Sequence, residues 1–408
     1  MSGPPEGATN SLVYSSVVGA ESRFASLRFI IHIRVFKRKG WRAACEIGVE
    51  LICAGFSNNR IAGKSGGYSI AAVVPVYNVR PYLTQCVDSL LAQTYPLAEI
   101  VLVDDGSTDA SGELCDELAS ANALIRVVHK ENAGLGFARN TGLDHVGADV
   151  DYVMFVDSDD WLEPDAVEVL VDSMGDVEAD CVIGGHTKIN DNGGVQFVFR
   201  LENAIYDGDG VRTGLIPRLC GSAPSASDSI PMSVCSSLFK CNLIRDNNLR
   251  FPSEREVISE DFVFKFDFLL CSQRVVVSEF TQYCYRTNQG SLTRSYRSDR
   301  FEACLRFYDV GFQMIREAGL PSECITRLQK VFFINLRMCI AQERPRASGL
   351  SCYQSLARIA KEVANPQVQR VISSYPVNEL RWKQRLFVHL VRCRASLVLF
   401  VLNVLDCL

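Results

Sequence analysis

The sequence predicts an α/β protein with a mostly parallel sheet flanked by helices, followed by a helical region at the C-terminus. Between Tyr68 and Trp161, four short apolar runs alternate with three stretches of helical spacing. These runs are apolar at every position instead of every second one, which is typical of parallel strands buried on both faces. From about Arg297 onward the pattern is helical, and no further polar cluster interrupts it.

The strands and helices can be placed in chain order. A first helix is expected at about residues 81–93. A second should run from the N-cap candidates Ser107 and Thr108 to about residue 120, and a third follows the segment 132–142. The apolar runs predict strands at residues 70–74, 100–103, 125–128 and 152–156.

Polar clusters follow three of the four predicted strands. PVYN (Pro75–Asn78) follows the first strand, DDGSTD (Asp104–Asp109) follows the second, and DSDD (Asp157–Asp160) follows the fourth. Loops at the carboxyl ends of parallel strands line a common crevice. We therefore expect these clusters to converge on one site, although they are spread over about 80 residues of the chain.

The DSDD cluster predicts a metal site. Negative charge packed at the end of a buried strand is unfavourable unless a cation compensates it. Asp157 and Asp159 are two residues apart, so in an extended segment both point to the same side. Their oxygens suit Mg²⁺ or Mn²⁺, which would bind a diphosphate and act as a Lewis acid as it departs. The alternative is a solvated turn.

Three further motifs have both a structural and a functional interpretation. Asp104 and Asp105 either cap the next helix or accept hydrogen bonds from a nucleobase. The Gly-rich segment Asn132–Arg139 ends in an arginine that contacts either a phosphate or base, or only solvent on a helix surface. Glu260 and Asp261, inside an apolar segment, supply a candidate general base or lie in the first turn of a helix capped by Ser259.

Composition excludes some classes of protein. The net charge of −5 argues against nucleic-acid binding, because no excess of positive charge is present to neutralise a phosphate backbone. The 16 cysteines are scattered singly, without C-x-x-C pairs or the spacing of a zinc site. We expect them to be buried free thiols in a reducing cytoplasm.

Both ends of the chain are unusual. The first 67 residues are basic and partly apolar, which suits either a poorly ordered extension or a segment lying on an anionic membrane. The stretch Leu386–Leu408 is strongly apolar but is interrupted by Arg392 and Arg394. Its uncharged part, Ala395–Leu405, is shorter than the roughly 20 residues that span a bilayer. An interfacial helix and a core-packing helix both remain open.

Taken together, the motifs resemble the family 2 glycosyltransferases of bacterial surface-polysaccharide synthesis. The matching strings are VVPVYN, VDDGSTD, ENAGLGFARNTGL, FVDSDDWL, SEDFVF and YRTNQGSLT, in this order between Tyr68 and Thr293. The resemblance implies the A-type, nucleotide-diphospho-sugar transferase fold. It also implies a nucleotide-sugar donor, usually UDP-linked, and transfer with inversion of the anomeric configuration.

The resemblance assigns roles to individual residues. Asp261 would be the catalytic base, and Asp159 with Asp157 would hold Mn²⁺ or Mg²⁺. Arg286 and Ser291 would contact the diphosphate or the acceptor. Pro75, Tyr77 and Asp105 would hold the nucleobase and Asp157 the ribose, within a nucleotide-sugar site consisting of Pro75, Tyr77, Asp104, Asp105, Asn132, Arg139, Asp157, Ser158 and Asp159.

We expect three parts: a basic extension (1–67), which lies outside the resemblance, a catalytic domain (68–296) and a C-terminal helical region (297–408). The implied partners are a UDP-sugar and a glycan or lipid-linked acceptor. The basic and apolar composition of the two chain ends adds the expectation of peripheral membrane contact. This places the protein in the cytoplasm at the inner face of the membrane. The alternatives are a phosphotransferase or phosphatase with an aspartyl nucleophile, and a non-catalytic sugar-nucleotide-binding protein.

Overall fold

The computed structural model describes residues 67–190, 192–287 and 296–407. The basic extension, apart from Gly67, and the predicted site residue Ser291 lie outside the described residues. Those that are described belong to one compact unit.

In the described part of the chain, the strands form two sheets. The eight-stranded sheet has the order β3-β2-β1-β4-β10-β6-β11-β9, and the four-stranded sheet has the order β5-β12-β7-β8. The strands are β1 (Ile70–Val76), β2 (Glu99–Asp104), β3 (Ile125–His129), β4 (Tyr152–Phe155), β5 (Trp161–Leu162), β6 (Cys181–Ile183), β7 (His186–Ile189), β8 (Val195–Phe199), β9 (Ala204–Asp207), β10 (Ser237–Lys240), β11 (Arg274–Val277) and β12 (Tyr283–Arg286).

The four predicted strands are confirmed as β1 to β4, and they run parallel. Strand β1 lies between β2 and β4, with Val73 paired to Val101 on one side and Phe155 on the other. All seven residues of β1 are buried, which explains why its sequence is apolar at every position. Beyond β4 the sheet becomes mixed, because β10 is antiparallel to both β4 and β6.

Helices cover the sheet and make up the C-terminal region, as predicted. A π-helical turn (Val211–Leu215) precedes α5, and a 3₁₀ turn (Val377–Glu379) precedes α13. The helices are α1 (Arg80–Leu91), α2 (Ser111–Ala121), α3 (Leu135–His145), α4 (Ala166–Asp172), α5 (Ile216–Leu219), α6 (Cys241–Asp246), α7 (Glu260–Cys271), α8 (Arg300–Glu317), α9 (Ser322–Gln342), α10 (Pro345–Ser348), α11 (Cys352–Ala364), α12 (Pro366–Ser373), α13 (Trp382–Arg392) and α14 (Ser396–Val404).

The start predicted for the second helix is wrong. Helix α2 begins at Ser111 after Ala110, so neither Ser107 nor Thr108 is its N-cap. Both residues are instead tied to Asn78 at the end of β1. The Ser107 hydroxyl accepts from the Asn78 backbone N–H, and the Asn78 side chain accepts from the Thr108 N–H. These bonds hold the loop in place and delay the helix by about one turn.

The helical region shares a core with the sheet. The Phe262 ring of α7 packs against Phe307 of α8, with ring centroids 5.3 Å apart. The apolar chain end forms two helices, α13 and α14, with Arg394 between them in a left-handed conformation (φ 53°). On α14, Leu399 is buried and Asn403 donates to the Ile340 carbonyl of α9, so one face of this helix packs on the core. No helix among the described residues is long and apolar enough to cross a membrane.

Candidate active site

A buried arginine lies at the centre of the site. Arg139 is on α3, which approaches β1 closely because Gly142 has no side chain: a Cβ there would lie 2.2 Å from Val73 Cγ1. The Arg139 side chain is only 1% exposed, which excludes the interpretation as a surface arginine. Its guanidinium donates to Asp157 (2.9 Å), Glu260 (3.0 Å) and Asp261 (2.6 Å).

One guanidinium compensates three carboxylates, so the cluster keeps an excess of negative charge. Burial, followed by the charge of Asp261, raises the pKa of Glu260 to about 7, although Arg139 opposes the shift. Burial also raises the pKa of Asp261, and here too Arg139 acts in the opposite direction. Burial opposes the charge of Arg139 itself, but its three acidic neighbours outweigh that effect and raise its pKa well above the usual value.

Asp261 is held from two sides. It lies in the first turn of α7, where the helix dipole favours a carboxylate. Its Oδ1 accepts from Arg139, and its Oδ2 accepts from the backbone N–H of Val234 at 3.2 Å. The side chain is 16% exposed, compared with 9% for Glu260. Of the two acids, Asp261 is therefore the more accessible to a substrate hydroxyl.

The DSDD cluster is a turn and not an extended segment. The Asp160 N–H donates to the Asp157 carbonyl at 3.0 Å. The prediction of an extended segment, with Asp157 and Asp159 on the same side, is therefore wrong. Asp160 is buried and accepts from the Tyr283 hydroxyl and the Arg286 backbone N–H, each at 2.7 Å. Burial and the charges of Asp157 and Asp159 raise its pKa well above the usual value. The three carboxyl groups are therefore close enough to repel one another.

The turn fits a metal that arrives with its substrate. The Asp157 side chain is 30% exposed, and Asp159 lies on the same turn. No group of three or more acidic, histidine or cysteine side chains able to hold a metal occurs in residues 67–190, 192–287 and 296–407. Mg²⁺ is usually bound by one or two carboxylates together with substrate phosphates, and not by a cage made entirely of protein. The chemistry of this donor set suits Mg²⁺ or Mn²⁺ on a diphosphate.

Arg286, at the end of β12, lies against the same turn. Its Nε donates to the Asp159 carbonyl at 2.7 Å, and its guanidinium lies 5.0 Å from the Tyr82 ring and 4.6 Å from the Trp161 ring. Two aromatic faces and the turn thus fix a cation next to the carboxylates. This is where a residue that contacts a diphosphate would be expected.

The predicted nucleobase end lies at the carboxyl ends of β1 and β2. Pro75 is buried in β1, whereas Tyr77 follows the strand and is 49% exposed. Burial raises the pKa of Asp104, but hydrogen bonds from Ser107 and His129 outweigh it and lower the pKa overall. Asp104 therefore stabilises its own loop and does not cap α2.

Asp105 orders the Gly-rich loop that precedes α3. Its buried carboxylate accepts from Lys130 Nζ (2.5 Å) and from the backbone N–H groups of Ala133 (3.0 Å) and Gly134 (2.8 Å). Gly134 has a φ of 103°, which a residue with a side chain rarely adopts. The Asn132 side chain donates to the Asp105 carbonyl at 2.9 Å and accepts from Arg255.

The structure thus joins the predicted residues into two linked groups. Asp157, Arg139 and Asp261 form one hydrogen-bonded cluster, and Asp105 and Asn132 hold the loop that leads into α3. Ser158 is buried in the Asp157–Asp160 turn. Sequence reasoning missed Tyr283, which supports that turn: the Asp157 N–H also donates to its hydroxyl, at 3.2 Å. Its position three residues before Arg286, in an alternating YCYR strand, was the available signal.

Comparisons with known proteins show to which family the chain belongs. The model of the family described as glycosyl transferase family 2 matches residues 71–223. Glycosyltransferase GlyG of Streptococcus pneumoniae is 33% identical over 227 residues, which cover 55% of this chain and 73% of GlyG. Glycosyltransferase GlyA of the same organism is 31% identical over 327 residues, or 80% of this chain, but this chain spans only 42% of GlyA.

The chain belongs to glycosyltransferase family 2, and it is a glycosyltransferase. A crystal structure of S. aureus TarS in complex with UDP-GlcNAc has the same fold: the TM-score is 0.56 at 20% identity, covering 83% of this chain and 91% of the other. The predicted nucleotide-diphospho-sugar transferase fold is therefore confirmed. Family membership also decides against the phosphatase alternative.

Proposed function

We propose that the protein transfers a sugar, with inversion, from a UDP-sugar to a hydroxyl group of a glycan or lipid-linked acceptor in the synthesis of cell-surface polysaccharide. The observation that carries this proposal is the bridge from Asp157 through Arg139 to Asp261. The buried guanidinium of Arg139 links two parts of the site. One is the Asp157–Asp160 turn, which would hold the metal for a diphosphate leaving group, and the other is Asp261, which is suited to receive a proton. The donor and the acceptor would thus bind on either side of the same buried arginine.

The donor would lie across the carboxyl ends of β1, β2 and β4. Tyr77 would cover the nucleobase, next to the loop that Asp105 and Asn132 order, and Asp157 would approach the ribose. Asp159 and Asp157 would hold Mg²⁺ or Mn²⁺, which supplies positive charge for the diphosphate when bound. TarS, which shares the fold, was solved with UDP-GlcNAc, and we propose a uridine donor here as well. Arg286 would face the diphosphate beside the turn.

Asp261 would act as the general base. Its carboxylate takes the proton of the acceptor hydroxyl while the hydroxyl oxygen attacks the anomeric carbon. The bond from that carbon to the diphosphate oxygen breaks on the opposite face, so UDP leaves and the configuration inverts. A pKa raised by burial improves Asp261 as a proton acceptor, and the contact with Arg139 keeps it ionised before the reaction.

A donor panel tests this function. With Mn²⁺ or Mg²⁺ present, at least one UDP-sugar should be hydrolysed slowly to UDP, and Asp159→Ala should lower that rate by 100-fold or more. Asp261→Asn should still bind the donor, as measured by calorimetry, but lose transfer by roughly 10²–10⁴-fold. If no UDP-sugar is bound or turned over by the unmodified protein, the proposal is wrong. Loss of donor binding in Asp261→Asn would instead refute the assignment of the base.

We further propose the organisation into an extension (1–67), a catalytic domain (68–296) and a helical region (297–408), with peripheral contact to the inner face of the membrane. The outer faces of α13 and α14 support that contact. Trp382, Leu397 and Leu405 are 65%, 62% and 64% exposed, and basic residues lie near them in the sequence. Exposed aromatic and aliphatic side chains, with Lys383 and Arg385 close to Trp382 in the sequence, suit the boundary of an anionic bilayer.

A further inference from the structure

A second buried cation lies behind the proposed base. Lys265 is on α7, one turn after Asp261, so both side chains project from the same side of the helix. Lys265 has no exposed surface, and its ammonium group donates to the Pro231 carbonyl (3.2 Å), the Ser233 carbonyl (2.8 Å) and the Ser237 hydroxyl (3.3 Å). Three donors therefore meet three oxygen acceptors.

All three acceptors belong to one segment, residues 231–237, which leads into β10. The same segment carries Val234, whose N–H donates to Asp261 Oδ2. Burial lowers the pKa of Lys265 to about 8, so most molecules keep the ammonium charged at neutral pH. The segment is therefore fastened by a charged donor on both sides of Val234.

We propose that Lys265 is a positioning residue for the transfer reaction: it fixes the 231–237 segment so that the Val234 N–H orients the Asp261 carboxylate. This inference rests on the proposed role of Asp261 as the base. Arg139 holds one carboxylate oxygen, and the Val234 N–H holds the other. Without the lysine, the hydrogen bond from the Val234 N–H would be lost. The Asp261 carboxylate would then be held only by Arg139 and could rotate.

Lys265→Met tests the proposal, because methionine fills a similar volume but cannot donate. We expect kcat for transfer to fall roughly 10- to 100-fold, the cost of a misplaced catalytic group, while the KM for the donor stays within about twofold. The acidic limb of the pH–rate profile should move to higher pH, since an ammonium charge and an N–H bond that favour ionised Asp261 are both removed. The other ionisable groups that face Asp261 or Lys265 are unchanged: Arg139, Asp157, Glu260, Cys181 and Cys235.

Lys330→Met is the matched control. Lys330 is also buried, and it donates to three carbonyls, those of Ala223, Pro224 and Ala226. None of these three residues has a hydrogen bond to the Arg139 cluster among the described contacts. This variant should lower thermal stability but leave the pH–rate profile and the kcat per folded molecule unchanged.

The outcomes separate this inference from the proposed function. If the unmodified protein releases no UDP, the proposed function fails. If it is active and Asp261→Asn is not, but Lys265→Met keeps both its kcat and its acidic limb, the positioning role alone is refuted. If Lys265→Met does not fold, Ser237→Ala removes one of the three acceptors and should shift kcat and the acidic limb in the same direction by a smaller factor. No shift in that variant would also overturn the inference.

Discussion

At the scale of single residues, Arg139 determines how the site is charged. It bridges Asp157, just after the end of β4, to the adjacent acids Glu260 and Asp261, at the start of α7. A lysine would not reproduce this geometry, since a planar guanidinium directs its donors along a fixed fork, whereas the three donors of an ammonium converge on one compact charge. The arginine keeps two functional acids at a set separation and prevents their mutual repulsion from opening the site.

We therefore predict that Arg139→Met lowers the free energy of unfolding by about 3–5 kcal/mol at neutral pH, the usual cost of leaving buried charges unpaired. Urea denaturation would measure the loss, which should shrink at low pH as the carboxylates become protonated. The control is Arg126→Met, in which an exposed arginine paired with Glu99 is removed at a cost of about 1 kcal/mol or less. Equal losses in both variants would contradict the central role of Arg139.

At the scale of elements, the close contact of α3 with β1 places Arg139. Gly142 faces Val73 on the strand, and there is no space for a methyl group between them. The strand ends, and with them the polar clusters, are set by the parallel register of β1 with β2 and β4. A displaced α3 would therefore carry Arg139 away from Asp157 without changing either residue.

Gly142→Ala should be destabilised by about 1–3 kcal/mol through overpacking, with a parallel loss of activity. Thermal unfolding and a transfer assay would measure the two effects. Gly210→Ala is the matched control, because Gly210 has helical backbone angles just before the π-helical turn and a Cβ there meets nothing within 4 Å. That variant should be neutral or slightly stabilised. Normal stability of Gly142→Ala would show that α3 can move away from β1 at little cost.

Helices α13 and α14 form the other element with an expected function. The double variant Leu397→Glu and Leu405→Glu should reduce sedimentation with vesicles that contain phosphatidylglycerol by at least tenfold, because two large apolar side chains leave the bilayer interface. Phe197→Glu, at an exposed position of β8, is the control and should sediment normally. Equal binding of all three proteins would refute the membrane contact through these helices.

At the scale of the whole molecule, stability should depend on pH through buried acids in the helical region. Burial is the main cause that raises the pKa of Glu362 to about 9. Burial also raises the pKa of Glu343. The folded protein therefore keeps a proton that the unfolded chain releases above about pH 4.5. The free energy of unfolding should fall as pH rises from there to about 9, by up to about 1.4 kcal/mol per pH unit for one such group.

Glu362→Gln should remove this contribution. The slope of unfolding free energy against pH should become shallower than in the unmodified protein, and the variant should be the more stable of the two at pH 8. Glu317→Gln changes an exposed carboxylate on α8 and should leave the slope as it is. Denaturation series at several pH values would measure all three proteins. An unchanged slope in Glu362→Gln would mean that another group controls the dependence.

Prediction from the sequence succeeded where short-range periodicity carries the information. The four parallel strands, the following helices and the polar residues at the strand ends were all recognisable from the apolar runs. It failed where a local motif has two conformations. Ser107 and Thr108 are good N-caps in isolation, but Asn78 binds that loop. DSDD could be extended, but its own backbone bond closes it into a turn.

Residue types and their spacing were enough to predict the four parallel strands, the family and the acids at the carboxyl ends of those strands. Which side chains pair with one another became visible in the folded structure. Arg139 meets Asp261 across 122 positions, and Tyr283 meets Asp160 across 123. Such contacts depend on how helices pack against the sheet, which spacing along the chain does not encode. For the same reason, the sequence did not indicate that Lys265, on the apolar helix α7, lies behind the proposed base.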